Sequence, residues 1–143
     1  MPRPRSDEKR SAILEAATRI IVTQGLSAPT AGIAKEAGDA IGSLFTYFET
    51  KTDLFNALYL ELKTEMASAT LKNPPASVEL HEQFFQAWRN WMNWALSNPQ
   101  KRRALAQLDV SDEITTETRA AGHKAMAPVA ELLERGRAHG PMQ

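Results

Sequence analysis

The residues able to do chemistry in this 143-residue chain are few, and their spacing argues against catalysis. His81, His123 and His139 show no metal-ligand spacing, and without cysteine there is neither a thiolate site nor a disulfide framework. Neither a Gly-rich phosphate loop nor a nucleophile elbow occurs. Glu79, Glu82, Asp112, Glu113 and Glu117 stand at predicted helix starts or on exposed faces, where a carboxylate complements the helix dipole more readily than it serves as a general acid or base. No enzyme, cofactor or metal is therefore expected.

Binding chemistry is better represented. Phe84, Phe85, Trp88, Trp91, Met92 and Trp94 crowd one predicted helix. From there Trp88 could face Tyr59 and Lys63 on the preceding long helix across an apolar cleft, offering stacking and cation–π contact to a flat aromatic or cationic ligand. The same residues read equally as plain core, or as an oligomer surface. A basic cluster, Arg3, Arg5, Lys9 and Arg10, reads either as an arm along a phosphate backbone or as a solvated tail. Lys101-Arg102-Arg103 reads as a solvated face.

Bulk properties limit the partners. With 43% hydrophobic and 24% charged residues the chain should fold, and its length suits one domain or a small binding unit sharing its core with a second lobe. The formal charge is +0, and residues 1–63 hold eight Lys or Arg against eight Asp or Glu, so affinity for a polyanion must come from local placement. Met1-Pro2-Arg3-Pro4-Arg5 leads into charge rather than a signal peptide, and no run of about 20 apolar residues occurs, so a cytoplasmic address and no membrane partner are expected.

The elements that must position these residues are all helices. Ser6 with Asp7 and Glu8 suits a helix start, apolar residues at three- and four-residue spacing carry it to Gln24, and Gly25 supplies a left-handed stop. Thr30 can cap a short helix over 31–37 that stops at Gly38, and a second short helix covers 41–48. Thr50 and Asp53 suit a cap for a long helix over 51–71, with Leu54, Leu58, Leu62 and Met66 on one face, until Asn73-Pro74-Pro75 breaks it. A helix over 78–96 follows, then a restart with Asn98 as cap and Pro99 in the first position, ending near Val110. Ser111-Asp112-Glu113 should start a last helix, with Pro128 kinking or splitting it before Gly140-Pro141.

Two short helices joined by a three-residue turn containing Gly38 have the geometry of a helix-turn-helix. Ile33, Ala37, Leu44, Phe45 and Phe48 could close its core with the first helix. In this frame Ala16-Ala17, Gln24-Gly25, Thr30-x-x-Ile33-Ala34, Ala37-Gly38, Gly42-Ser43-Leu44-Phe45-x-Tyr47-Phe48 and Lys51-x-x-Leu54 resemble, in order and register, the DNA-binding domain of the TetR family over about residues 6–62. Within the family the likeness extends to RamR-type multidrug-efflux regulators over 3–18 and 104–118.

The resemblance implies a homodimer that sets two recognition helices in successive major grooves of a palindromic double-stranded operator, and a C-terminal lobe whose effector loosens that grip. Thr30, Tyr47 and Lys51 match the family's phosphate-contacting positions, a task suited to hydroxyls and a cation. Ile41, Gly42, Ser43 and Thr46 fall on or near the groove-facing side, where hydroxyls can meet base edges and Ile a thymine methyl. With no Arg, Asn or Gln on this helix, specificity would lean on methyl contacts and DNA shape.

Three departures stand out. Asp39 and Ala40 occupy the turn where the family has an apolar residue and then a small hydroxyl residue; Asp39 would either cap the recognition helix or repel phosphate. Family members also continue with two further long helices that pair across the dimer, whereas the sequence stops at Gln143, so the usual dimer interface is expected to be missing, either from a truncated or unusual member that dimerises differently or because the sequence is a fragment.

The expectation is therefore an all-α protein. Residues 1–70 form a three-helix DNA-binding domain, joined by a long helix to a shortened helical ligand and dimerisation lobe over 71–143. Its expected function is sequence-specific transcriptional regulation, as a ligand-responsive repressor. The alternative is a helical small-molecule-binding or protein-interaction module that has lost its hold on DNA.

Overall fold

Each segment with an apolar stripe at helical spacing is a helix in the computed structural model, which describes residues 5–38, 41–72 and 79–139, with their side chains except at 5, 6, 41 and 136–139. In chain order these are α1 (Arg5–Gln24), α2 (Thr30–Ala37), α3 (Ile41–Tyr47), α4 (Lys51–Thr70), α5 (Leu80–Ser97), α6 (Pro99–Asp109) and α7 (Thr116–His139). No strand occurs among the described residues, and the all-α architecture is as expected.

By internal contacts the chain divides into two units, Met1–Tyr59 with Gln100–Thr115, and Leu60–Pro99 with Thr116–Gln143. The sequence suggests a line at residue 70. The boundary between these compact units falls within α4, and α6 belongs to the N-terminal one.

In the first unit, α1 buries Ile13, Leu14, Ala16, Ala17, Ile20 and Ile21, and α2 packs on it through Ile33 and Ala34. Burying each large aliphatic side chain stabilises by about 1.5–3 kcal/mol before entropy is counted. Gly25 ends α1 with φ 86°, a left-handed conformation that a Cβ would strain, and its N–H reaches the Ile21 carbonyl at 2.9 Å. From α6, Ala104, Leu105 and Leu108 are buried, and the Gln107 amide donates to the Ile21 carbonyl at 3.1 Å. An exposed ion pair, Arg19 Nε to Glu36 Oε2 at 2.7 Å, links α1 to α2 and contributes at most about 1 kcal/mol.

Several helix ends differ from expectation. Ser6 lies inside α1, which already begins at Arg5. Thr30 is the first residue of α2 rather than its cap: Pro29 holds that place at φ −70°, ψ 148°, and its carbonyl accepts the Gly32 N–H at 3.0 Å. A proline can start a helix because its missing N–H is one that the helix leaves unpaired. Thr50 does cap α4, its hydroxyl accepting the Asp53 N–H at 3.0 Å. Pro99 opens α6 as expected, while the Asn98 amide donates back to the Trp94 carbonyl at the end of α5.

Ser111-Asp112-Glu113 forms a turn rather than a helix start, and α7 begins only at Thr116. The reason is tertiary. Asn56 on α4 donates from Nδ2 to the Glu113 carbonyl and accepts the Thr115 N–H at Oδ1, both at 2.9 Å, while the Thr52 hydroxyl donates to the Glu113 carboxylate. Backbone groups held in this way are not available to begin a helix. Pro128 sits inside α7 without dividing it. Its ring removes the N–H that would bond the Lys124 carbonyl, and the helix continues despite that loss.

In the second unit α5 packs on α7, with Ala87, Trp94, Ala95, Val129 and Leu132 buried beside Leu62 and Ala67 of α4. Trp94 Nε1 donates to Glu65 Oε2 at 2.9 Å, satisfying the indole where it is buried. The breaks expected at Asn73-Pro74-Pro75 and Gly140-Pro141, and the cap expected from Asp39, lie outside the described residues.

Candidate functional site

The three residues separating α2 from α3 follow a helix that stops at Gly38, where φ is 80° and the N–H turns back to the Ala34 and Lys35 carbonyls. Past that turn α3 is anchored by Leu44, which is 0% exposed. At about 100° per residue, Gly42 and Thr46 fall opposite Leu44 and Phe45 about a quarter-turn from it, and all three are exposed. Ser43 and Tyr47 are half-buried on the flank. The Thr46 hydroxyl donates to the Gly42 carbonyl at 3.2 Å, leaving its oxygen lone pairs outward as acceptors. The backbone of Ile41 opens this helix; its side chain lies outside the described residues.

Phe45 corrects the expected core: at 41% exposure it stands on the outer face, whereas Ile33, Leu44 and Phe48 are buried as foreseen. Hydrophobicity alone assigned it inward. The rotation of α3 about Leu44 turns it out, and this is the candidate contact residue that the sequence reading missed.

Two cations border α3. Lys51, half-buried in the first turn of α4, has Nζ 5.5 Å from the ring centroid of buried Phe55, one turn along the same helix. Arg10 lies 5.5 Å over Phe48, just past the end of α3, so this member of the N-terminal basic cluster rests on the helix-turn-helix core. Thr30 is half-buried at the start of α2. Arg3 lies outside the described residues, as does the side chain of Arg5. The face thus combines hydroxyls, an exposed aromatic ring and flanking cations, a composition suited to contact with a polyanion.

The second unit has two adjoining hollows. One, of about 220 Å³, is walled by Trp88 and Trp91 from α5 and Met126, Val129 and Leu133 from α7. The other, of about 200 Å³, has a mostly apolar lining that also carries the polar and charged side chains of Lys72, Gln86, Asn90, Glu131 and Arg135. Of the residues expected at a ligand cleft, Trp88 and Trp91 line the apolar hollow, at 54% and 37% exposure. Lys63, Phe84 and Met92 line neither of the two, and Tyr59 is buried and belongs to the first unit. The α7 residues were missed. Their three- and four-residue spacing marks a helix face, but nothing in a sequence says which other face it meets.

Among the described residues no group of three His, Asp or Glu could hold a metal, and no helix is long and apolar enough to cross a membrane.

Comparison with known proteins agrees with this geometry. The sequence model of the bacterial regulatory proteins of the tetR family matches residues 13–58. A candidate tetR family transcription regulator from Shewanella sp. PV-4 is 36% identical with a TM-score of 0.78, over 91% of this chain and 70% of that one. A TetR family transcription regulator from Marinobacter aquaeolei VT8 is 27% identical with a TM-score of 0.85, over 94% and 71%. A candidate TetR family regulator from Vibrio parahaemolyticus is 26% identical with a TM-score of 0.72, over 91% and 70%.

Proposed function

This chain belongs to the TetR family of bacterial regulatory proteins and is a DNA-binding transcriptional regulator, and we propose that it works in the cytoplasm as a ligand-responsive repressor, a homodimer on a palindromic operator. The observation that carries the reading is the outer face of α3, where Gly42, Phe45 and Thr46 stand exposed while Leu44 is buried, with Lys51 alongside in the sequence. A short helix presented by a small packed unit fits the major groove.

In this proposal Thr30, Tyr47 and Lys51 hold phosphates and set the register, Ser43 and Thr46 meet base edges, and Ile41 and Phe45 touch thymine methyls. Gly42 lets the backbone approach closely. Arg3 and Arg5 extend the contact to an adjacent phosphate or minor groove. Residues 1–70 serve as the reading domain and 71–143 as the regulatory lobe, where a small aromatic or cationic effector would sit near Trp88 and Trp91 and weaken the grip on DNA. A closer kinship with RamR-type multidrug-efflux regulators within the family is part of the same proposal.

The test is sedimentation of the purified chain, alone and with a random pool of duplex DNA, followed by sequencing of the retained fraction. A dimer that retains one palindromic sequence is the expected result. A monomer that retains no preferred sequence would overturn the repressor mechanism.

A further inference from the structure

The two hollows of the second unit share part of their lining. Thr70 of α4, Ala87 of α5 and Leu132 of α7 line both, at 3%, 6% and 6% exposure. Taken singly, volumes of about 220 and 200 Å³ fall below the roughly 300–1,000 Å³ of sites that enclose a whole small molecule. A ligand large enough to fill both would meet aromatic residues at one end and charged side chains at the other.

The apolar end is lined by Trp88, Trp91 and Met126, two indoles and a deformable thioether that suit an aromatic body. At the other end Asn90 is already committed: its amide donates to the Thr70 and Lys72 carbonyls at 3.1 and 2.9 Å, and its oxygen accepts from Gln86 at 3.0 Å. It fastens the end of α4 to α5 and has little left for a guest. The charged groups lining this end are Lys72, Arg135 and Glu131, two cations against one carboxylate. Among the described residues neither cation is in an ion pair. A guanidinium presents a fork that matches a carboxylate's two oxygens.

We propose that this double hollow binds an amphipathic aryl carboxylate, its ring system against Trp88 and Trp91 and its carboxylate at Arg135 and Lys72. The proposal rests on the reading of the second unit as an effector lobe, and it selects an anion where the aromatic face alone would equally admit a cation.

Calorimetric titration of the full chain with 2-naphthylacetate, 2-(2-naphthyl)ethanol and 2-(2-naphthyl)ethylammonium isolates the head group, since the three share one ring system. The acetate should bind about tenfold tighter than the alcohol, and the ammonium weakest. Arg135→Glu, at an exposed position, should reverse the order of acetate and ammonium. Trp88→Ala, also exposed, should weaken all three while keeping the order. Equal binding of the three, an ammonium preference in the unaltered chain, or an order indifferent to Arg135→Glu would overturn the proposal. Retention of a selected operator is measured in parallel. No binding of any probe by a protein that still holds its operator sinks the carboxylate site and leaves the regulator standing. Ordered binding that leaves DNA retention unchanged supports the site and removes its role as the release signal.

Discussion

Asn56 gives the most quantitative test of how this fold is held. Its carboxamide makes two tertiary hydrogen bonds at 2.9 Å, to the Glu113 carbonyl and from the Thr115 N–H, and a local one at 2.7 Å to the Thr52 carbonyl. A typical net contribution is about 0.5–1.5 kcal/mol per bond, and the exposure of both tertiary bonds places them at the lower end, so Asn56→Ala should lose about 1–2 kcal/mol of contact. Alanine recovers about 0.5 kcal/mol through helix propensity, leaving a net loss of about 1 kcal/mol. Asn56→Asp is nearly isosteric and keeps an acceptor for Thr115. It turns an oxygen toward two carbonyls, however, and sets a negative charge near the Glu113 carboxylate, for a loss of about 2–3 kcal/mol. Urea denaturation followed by far-ultraviolet circular dichroism measures both variants, and a shift of about 2–5 °C per kcal/mol in thermal midpoint should accompany them. The reasoning fails if Asn56→Ala is as stable as the parent, or if Asn56→Asp is at least as stable as Asn56→Ala. Either result would mean that the amide does not set the start of α7.

The remaining predictions concern DNA contact and the turn that presents it. Lys51→Ala should weaken binding to all duplexes about equally and lower the slope of log affinity against log salt by about 1, measured by fluorescence anisotropy over a salt series; a changed base preference would remove Lys51 from the phosphate. Phe45→Ala, which leaves the core intact at its 41% exposure, should keep the fold and reduce discrimination at a thymine by about 1 kcal/mol or more in a competition assay. A melting point lowered as far as for a core truncation would place that ring inside. Thr46→Ala should shift the preferred sequence without altering the salt slope. At Gly38 a Cβ would meet nothing within 4 Å, so Gly38→Ala should cost only the left-handed backbone penalty of about 1–2 kcal/mol. Gly38→Asn should cost less, and equal losses for the two would point to a steric cause instead.

Local chemistry was legible because it depends on near neighbours along the chain. The all-α class, the stop of α1 at Gly25, the stop of α2 at Gly38, the cap from Thr50 and the place of Pro99 each follow from backbone preferences that act within one turn. The register of Gly42-Ser43-Leu44-Phe45-x-Tyr47-Phe48 likewise exposed the family, since many positions must agree in order. What required tertiary structure was every choice between partners that are equivalent in hydrophobicity but distant in sequence. Leu44 and Phe45 are adjacent and both apolar, and only packing around α3 turns one in and the other out. The stripe of α6 could have joined either unit, and it is buried in the first. Ser111-Asp112-Glu113 is a sound helix start by its own chemistry, yet Asn56, more than fifty residues earlier, holds its backbone in a turn. Around Trp88 and Trp91 the aromatic residues announced a surface, but the walls that make it a hollow come from α7. Burial is non-directional, so a sequence states how much apolar surface must be covered and on which face, while the partner that covers it is settled by the packing of the whole chain.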